Sequence, residues 1–185
     1  MRYPVIEVLL VSALLVFRAV GALGVRRFRT WPASAAHALA VMLLVTASAH
    51  FVPAAVTAMP NHGDLVAMVP PIVPFPDAVV YLTGVLELLG AAGLVVVATR
   101  WSAAVGLTAL FVLLLPANVY AALADVPFQG HAPTPLGLRV AEQVLYLAVA
   151  VWVARSADPA PARRVLHVLH PRRPQATPEP ATGRS

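Results

Sequence analysis

The sequence predicts an all-α fold, a polytopic bundle of transmembrane helices, and three observations carry that prediction. Five apolar stretches are each long enough to cross a bilayer as a helix. Charge is scarce: 59% of the 185 residues are hydrophobic and 11% are charged, against about 25% charged in soluble domains. The arginines also fall on alternate connections. Arg26, Arg27 and Arg29 follow the first stretch, Arg100 follows the third, and Arg155 opens a basic tail after the fifth. The connections after the second and fourth stretches carry almost no positive charge.

The first span is Pro4 to Val25, interrupted by Glu7 and Arg18. A cleaved signal peptide is the alternative. Its charged n-region would be Arg2 alone, and cleavage would leave Arg26, Arg27 and Arg29 on the outer face, against the positive-inside rule. A retained helix is expected, with Glu7 near one end and Arg18 snorkelling toward the other. The second span, Ala36 to Ala58, contains Ser48-Ala49-His50-Phe51-Val52-Pro53. Met59 to Pro76 holds five prolines and no Lys or Arg, so a full span is blocked. A short helix at the interface or an extended lid is expected there.

The third span, Ala78 to Ala98, has Glu87 at its centre. A central acidic residue costs about 2.5–3.5 kcal/mol on insertion scales, and the surrounding Val and Leu offset it at about 0.3–0.6 kcal/mol each. The carboxylate inserts but needs a partner or a proton. Ser102 to Leu123 is the fourth span, with Pro116 expected to kink it. A proline-rich loop, Asp125 to Leu136, leads to the fifth span, Gly137 to Ala154. The Pro- and Arg-rich remainder lacks the apolar residues to fold alone. The units are therefore an N-terminal helix and basic loop (1–30), a four-helix membrane domain (31–155) and a disordered cytoplasmic tail (156–185).

The positive-inside rule places the N-terminus outside and the C-terminus inside. At about 1.5 Å per residue, His50, Thr83, Glu87, Asn118, Tyr120, Arg139 and Gln143 all fall in the outer half. Thr83 and Glu87 are four apart and share a helix face, as do Arg139 and Gln143. Three readings of this polar cluster stand side by side. The groups satisfy one another and lock the bundle. They line a pocket opening outward, with Glu87 accepting a proton or orienting a ligand. Or they form an oligomer or partner interface.

Other chemistries are disfavoured. The absence of cysteine excludes disulfides, thiol redox chemistry and thiolate-held cofactors. All thirteen basic residues are arginine, most of them in loops and tail, so the high pI reports topology and not nucleic-acid binding. His37 and His50 are thirteen apart, a spacing resembling di-haem helix bundles, but second histidines on facing helices are missing. No ligand-spaced metal cluster, phosphate loop, dinucleotide fingerprint or hydrolase triad is present. Gly84, Gly90, Gly93 and Gly106 are expected to permit close helix packing.

The order Ala49-His50-Phe51, Met68-Val69-Pro70, Thr83-Gly84-Val85-Leu86-Glu87, Pro116-Ala117-Asn118-Val119-Tyr120, then Arg139 and Gln143 resembles the DoxX-like family of small integral membrane proteins. The resemblance covers about residues 36–154, leaving the first span and the tail as additions to a four-helix unit. It implies a four-helix membrane unit and an accessory subunit of a quinone-linked oxidoreductase system. The all-arginine, Ala-, Val- and Pro-rich composition suggests a bacterial cytoplasmic-membrane protein, and the missing cysteine and second histidines argue against an autonomous enzyme. No covalent cofactor or metal is implied. Quinone is the ligand suggested by analogy, with His50 and Glu87 as its hydrogen-bond and proton partners. Expected partners are the lipid bilayer, a membrane or soluble redox protein and a second copy of the chain. The competing readings are a carrier or binder of a small lipophilic solute, and a structural or assembly factor without a ligand.

Overall fold

In a computed structural model, residues 5–159 are described. The elements in chain order are α1 (Val5–Ala22), a 3-10 turn (Arg26–Phe28), α2 (Trp31–Ser48), α3 (His62–Ala67), α4 (Pro76–Val95), α5 (Arg100–Leu123) and α6 (Leu136–Ser156). Among the described residues there is no strand, only an isolated bridge between Phe128 and His131. All five long helices, α1, α2, α4, α5 and α6, have the length and apolar character to cross a membrane. The tail from residue 160, with its expected disorder and its two histidines, lies outside the described residues.

Four helices close into a ring: α2 packs on α4, α4 on α5, α5 on α6, and α6 returns to α2. α1 packs on α2 from outside the ring. The sandwiched helix is therefore α2, and ten of its 18 residues are buried. The others bury stripes spaced three and four apart. On α4 the stripe is Val80, Gly84, Glu87, Ala91 and Leu94. On α5 it includes Ala104, Leu107 and Phe111, and on α6 Arg139, Gln143, Ala150 and Val153. This spacing keeps one face of each helix on the ring interior. Large apolar residues such as Leu82, Leu89, Val97 and Leu113 are left on the outside, where lipid accepts them.

Lipid tails are as apolar as leucine, so close packing must hold such a ring together. A Cβ on Gly90 would lie 2.5 Å from Leu107 Cδ2, and one on Gly93 would lie 2.7 Å from Ala103 Cβ. Glycine thus brings α4 against α5. Gly106 is a correction: a Cβ there meets nothing within 4 Å, so it plays no part in this approach.

Several helix ends differ from expectation. α2 begins at Trp31 because the Thr30 hydroxyl accepts from Ala33 N–H at 3.3 Å and Pro32 suits the first turn. It stops at Ser48, ten residues before the expected end, and His50 lies in the turn beyond it. α4 ends at Val95 because its last carbonyls find other donors. Arg100 Nε donates to Leu94 O at 2.9 Å, Arg27 Nη2 to Val95 O at 2.8 Å, and Thr99 Oγ1 to Gly93 O at 3.0 Å. Arg100 and Trp101 open α5 instead of closing the span before it. Pro116 lies inside one continuous helix.

Both charges of the first span lie against other elements. Tyr146 Oη on α6 donates to Glu7 Oε1 at 3.2 Å, and the Arg18 guanidinium lies 5.4 Å from the Trp31 ring centroid.

Candidate functional site

The ring interior is divided by depth. Toward the end bearing Arg27 and Arg100 it is apolar, built from Leu39, Leu43, Leu94, Leu107, Phe111 and Val153. Toward the opposite end the same stripes turn polar. α4 presents Glu87 there, and α6 presents Arg139 and Gln143. The site is thus a change of residue type along helices already in place.

One half of the site lies between α2 and α4. Glu87 is 6% exposed and His50 8% exposed. His50 Nε2 stands 3.7 Å from Glu87 Oε1, and Thr46 Oγ1 donates to Glu87 Oε2 at 3.4 Å. Both contacts are long beside the usual 2.7–2.9 Å of a charge-assisted hydrogen bond. The carboxylate is buried and only loosely held. The histidine is better fixed. Its Nδ1 faces Val80 O at 2.6 Å, and a carbonyl only accepts, so Nδ1 carries the hydrogen and Nε2 is turned to the carboxylate. Thr83 Oγ1 donates to Val80 O at 2.9 Å and lies 3.3 Å from His50 Nδ1. Gly84 makes the approach feasible, since a Cβ there would sit 2.5 Å from His50 Cβ.

The other half lies between α5 and α6. Arg139 is buried and donates from Nη1 to Asn118 Oδ1 at 3.3 Å, while Asn118 Nδ2 donates to Leu114 O of its own helix at 3.2 Å. Gln143 is 7% exposed, and its Oε1 is buried without a hydrogen-bond partner among the described residues. Such an acceptor forgoes water and gains nothing in return, a cost of about 1–3 kcal/mol.

The segment 49–75 covers this end. His62 Nδ1 donates to His50 O at 2.9 Å, and its Nε2 lies 3.1 Å from Asp77 Oδ1. The His62 ring stacks on Tyr81 with centroids 4.1 Å apart. Asn61 and Asp64 form a capping box that starts α3. Asp64 Oδ1 also accepts from Gln129 N–H in the α5–α6 loop at 3.1 Å, and Arg139 Nη1 reaches Met68 Sδ at 3.9 Å.

Of the seven predicted residues, the structure brings His50, Thr83 and Glu87 together in one group, and Asn118 and Arg139 in another, with Gln143 one turn from Arg139. Tyr120 is a correction. It stands two residues from Asn118, on another side of α5, and lines an outward groove with Val112, Pro116 and Leu123. Sequence reasoning missed Thr46, His62 and Asp77. Thr46 is four residues before His50, a signal that was legible. The Asn61-x-x-Asp64 pattern marked a helix start, but nothing marked the pairing of His62 with Asp77.

The haem reading fails on geometry. His37 Nε2 accepts from Arg27 Nε at 2.9 Å and Nδ1 lies 2.7 Å from Ala33 O, so both ring nitrogens are occupied. Among the described residues no group of three His, Asp or Glu side chains is arranged to hold a metal ion.

The sequence profile of a domain of unknown function, DUF8561, matches residues 39–154. The chain belongs to the DUF8561 family. The matched region begins within α2 and ends within α6, so the DUF8561 unit contains the whole polar half and segment 49–75, and leaves α1 outside. No curated protein and no solved structure matches the chain.

Proposed function

We propose that this DUF8561 chain is a DoxX-like membrane subunit that presents the His50–Glu87 pair to a quinone headgroup. On this reading it serves a quinone-linked oxidoreductase in the bacterial cytoplasmic membrane, as an accessory subunit without a redox centre of its own. The observation that carries it is the state of Glu87: buried, beside a histidine, and held, among the described residues, by contacts of 3.4 and 3.7 Å. A buried carboxylate with no close partner is expensive, and intramembrane acids of this kind mark proton and ligand sites. A quinone carbonyl or quinol hydroxyl would supply the short hydrogen bond that Glu87 lacks. The His50–Glu87 pair would accept or return the proton that accompanies a change of quinone redox state. The resemblance of the sequence to DoxX-like proteins supports the choice of quinone.

Purified protein is expected to bind a short-chain benzoquinone, and His50→Ala and Glu87→Gln are each expected to abolish binding while the helices remain folded. Binding retained by both folded variants would refute the proposal.

A second reading, an architectural lock, is favoured by the close packing of His50 on Gly84. It expects apolar replacement of both His50 and Glu87 to lower folding yield without changing any specific binding. A carrier of a small lipophilic solute is the third, and a non-quinone ligand retained through purification would favour it.

A further inference from the structure

Segment 49–75 does more than join α2 to α4. A direct connection would stay on that side of the ring. This one reaches α4 through His62, the α5–α6 loop through Asp64, and α6 through Met68. It therefore crosses the mouth of the polar half and is anchored on both sides of it. Beside these polar attachments, the His62 ring stacks on Tyr81 of α4 with centroids 4.1 Å apart.

Two of its features bear on the interior. His62 Nδ1 donates to the carbonyl of His50, and its Nε2 faces Asp77, to which it donates when the ring carries a second proton. The residue that fastens the segment thus also fixes the backbone of the histidine facing Glu87. Behind the segment, the buried Oε1 of Gln143 has no hydrogen-bond partner among the described residues and is an acceptor for a solute bearing O–H or N–H.

We propose that segment 49–75 is a gate, latched by His62 on Asp77, through which a hydroxyl- or N–H-bearing solute reaches Gln143 and the His50–Glu87 pair. The inference rests on the binding-site reading for its purpose, but not for its test. When the latch parts, α3 swings from α4, the constraint on the His50 carbonyl is released, and the polar half opens at the end away from Arg27 and Arg100. The Asp77 side chain is 72% exposed, so the latch can be altered from the surface with little disturbance of the packed helices.

The chain contains no cysteine, so a single introduced thiol reports without background. Gln143→Cys places that thiol behind the gate, and a water-soluble methanethiosulfonate reagent is the probe. Slow modification is expected in the Gln143→Cys protein, and at least tenfold faster modification when Asp77→Ala or His62→Ala is added. Thermal melting of each variant confirms that the helices remain folded. Equal modification rates with and without the latch substitutions, in folded protein, would overturn the gate. Faster modification together with no benzoquinone binding by the parent protein would uphold the gate and remove quinone as the solute.

Discussion

A methyl group at position 84 would sit 2.5 Å from His50 Cβ, 2.7 Å from its Cγ and 3.1 Å from Phe51 Cε2. The His50 ring cannot retreat freely, because its Nδ1 is bonded to Val80 O and the His50 carbonyl to His62. Gly84→Ala is therefore expected to lower stability by about 1–3 kcal/mol, the usual cost of overpacking, and to separate His50 from Glu87. Thermal melting in detergent checks the first effect, and the second should appear as weakened benzoquinone binding. An unchanged melting temperature would show that the turn at His50 yields more easily than these bonds imply. At this scale the sequence disclosed much. Glu87 identified itself by its place in an apolar run, and His50 by standing alone near it. Tyr120 misled because a shared depth was taken for a shared face. Asp77 went unread because its partner, His62, lies fifteen residues away across a loop.

The helices were legible as elements, since an apolar run of bilayer length has few other uses. Their ends were not, because side chains distant in sequence set them. The last carbonyls of α4 are taken by Arg27, 68 residues from Val95, and by Arg100. Arginines that look like topology signals are also caps. Replacing both by alanine is expected to expose the final turn of α4. Hydrogen bonds to charged groups contribute about 1.5–3 kcal/mol, with the exposed Arg27 at or below the low end of that range. Hydrogen exchange resolved to residues 90–95 should accelerate in the double variant while α6 stays protected. Exchange confined to its original rate in that turn would mean that neither arginine holds α4 closed.

For the molecule as a whole, the ring of α2, α4, α5 and α6 gives the polar half a closed wall, and segment 49–75 gives it a cover. The five-helix count was readable from hydropathy. The division of the seven polar residues into two groups was not, because it depends on which helices become neighbours around the ring. Orientation rests on the arginines. With the N-terminus outside, Ala132→Cys in the α5–α6 loop should react with an impermeant maleimide on intact cells, and Arg29→Cys only after permeabilisation. The reverse pattern would invert the bundle and turn the gate to the cytoplasm. On the proposed function, the loosely held Glu87 is kept for a ligand. The deciding experiment is native mass spectrometry of protein gently extracted from its own membrane. A bound quinone is expected in the parent protein and absent from a folded Glu87→Gln variant. A parent protein that carries no quinone, with a Glu87→Gln variant changed only in stability, would contradict that function.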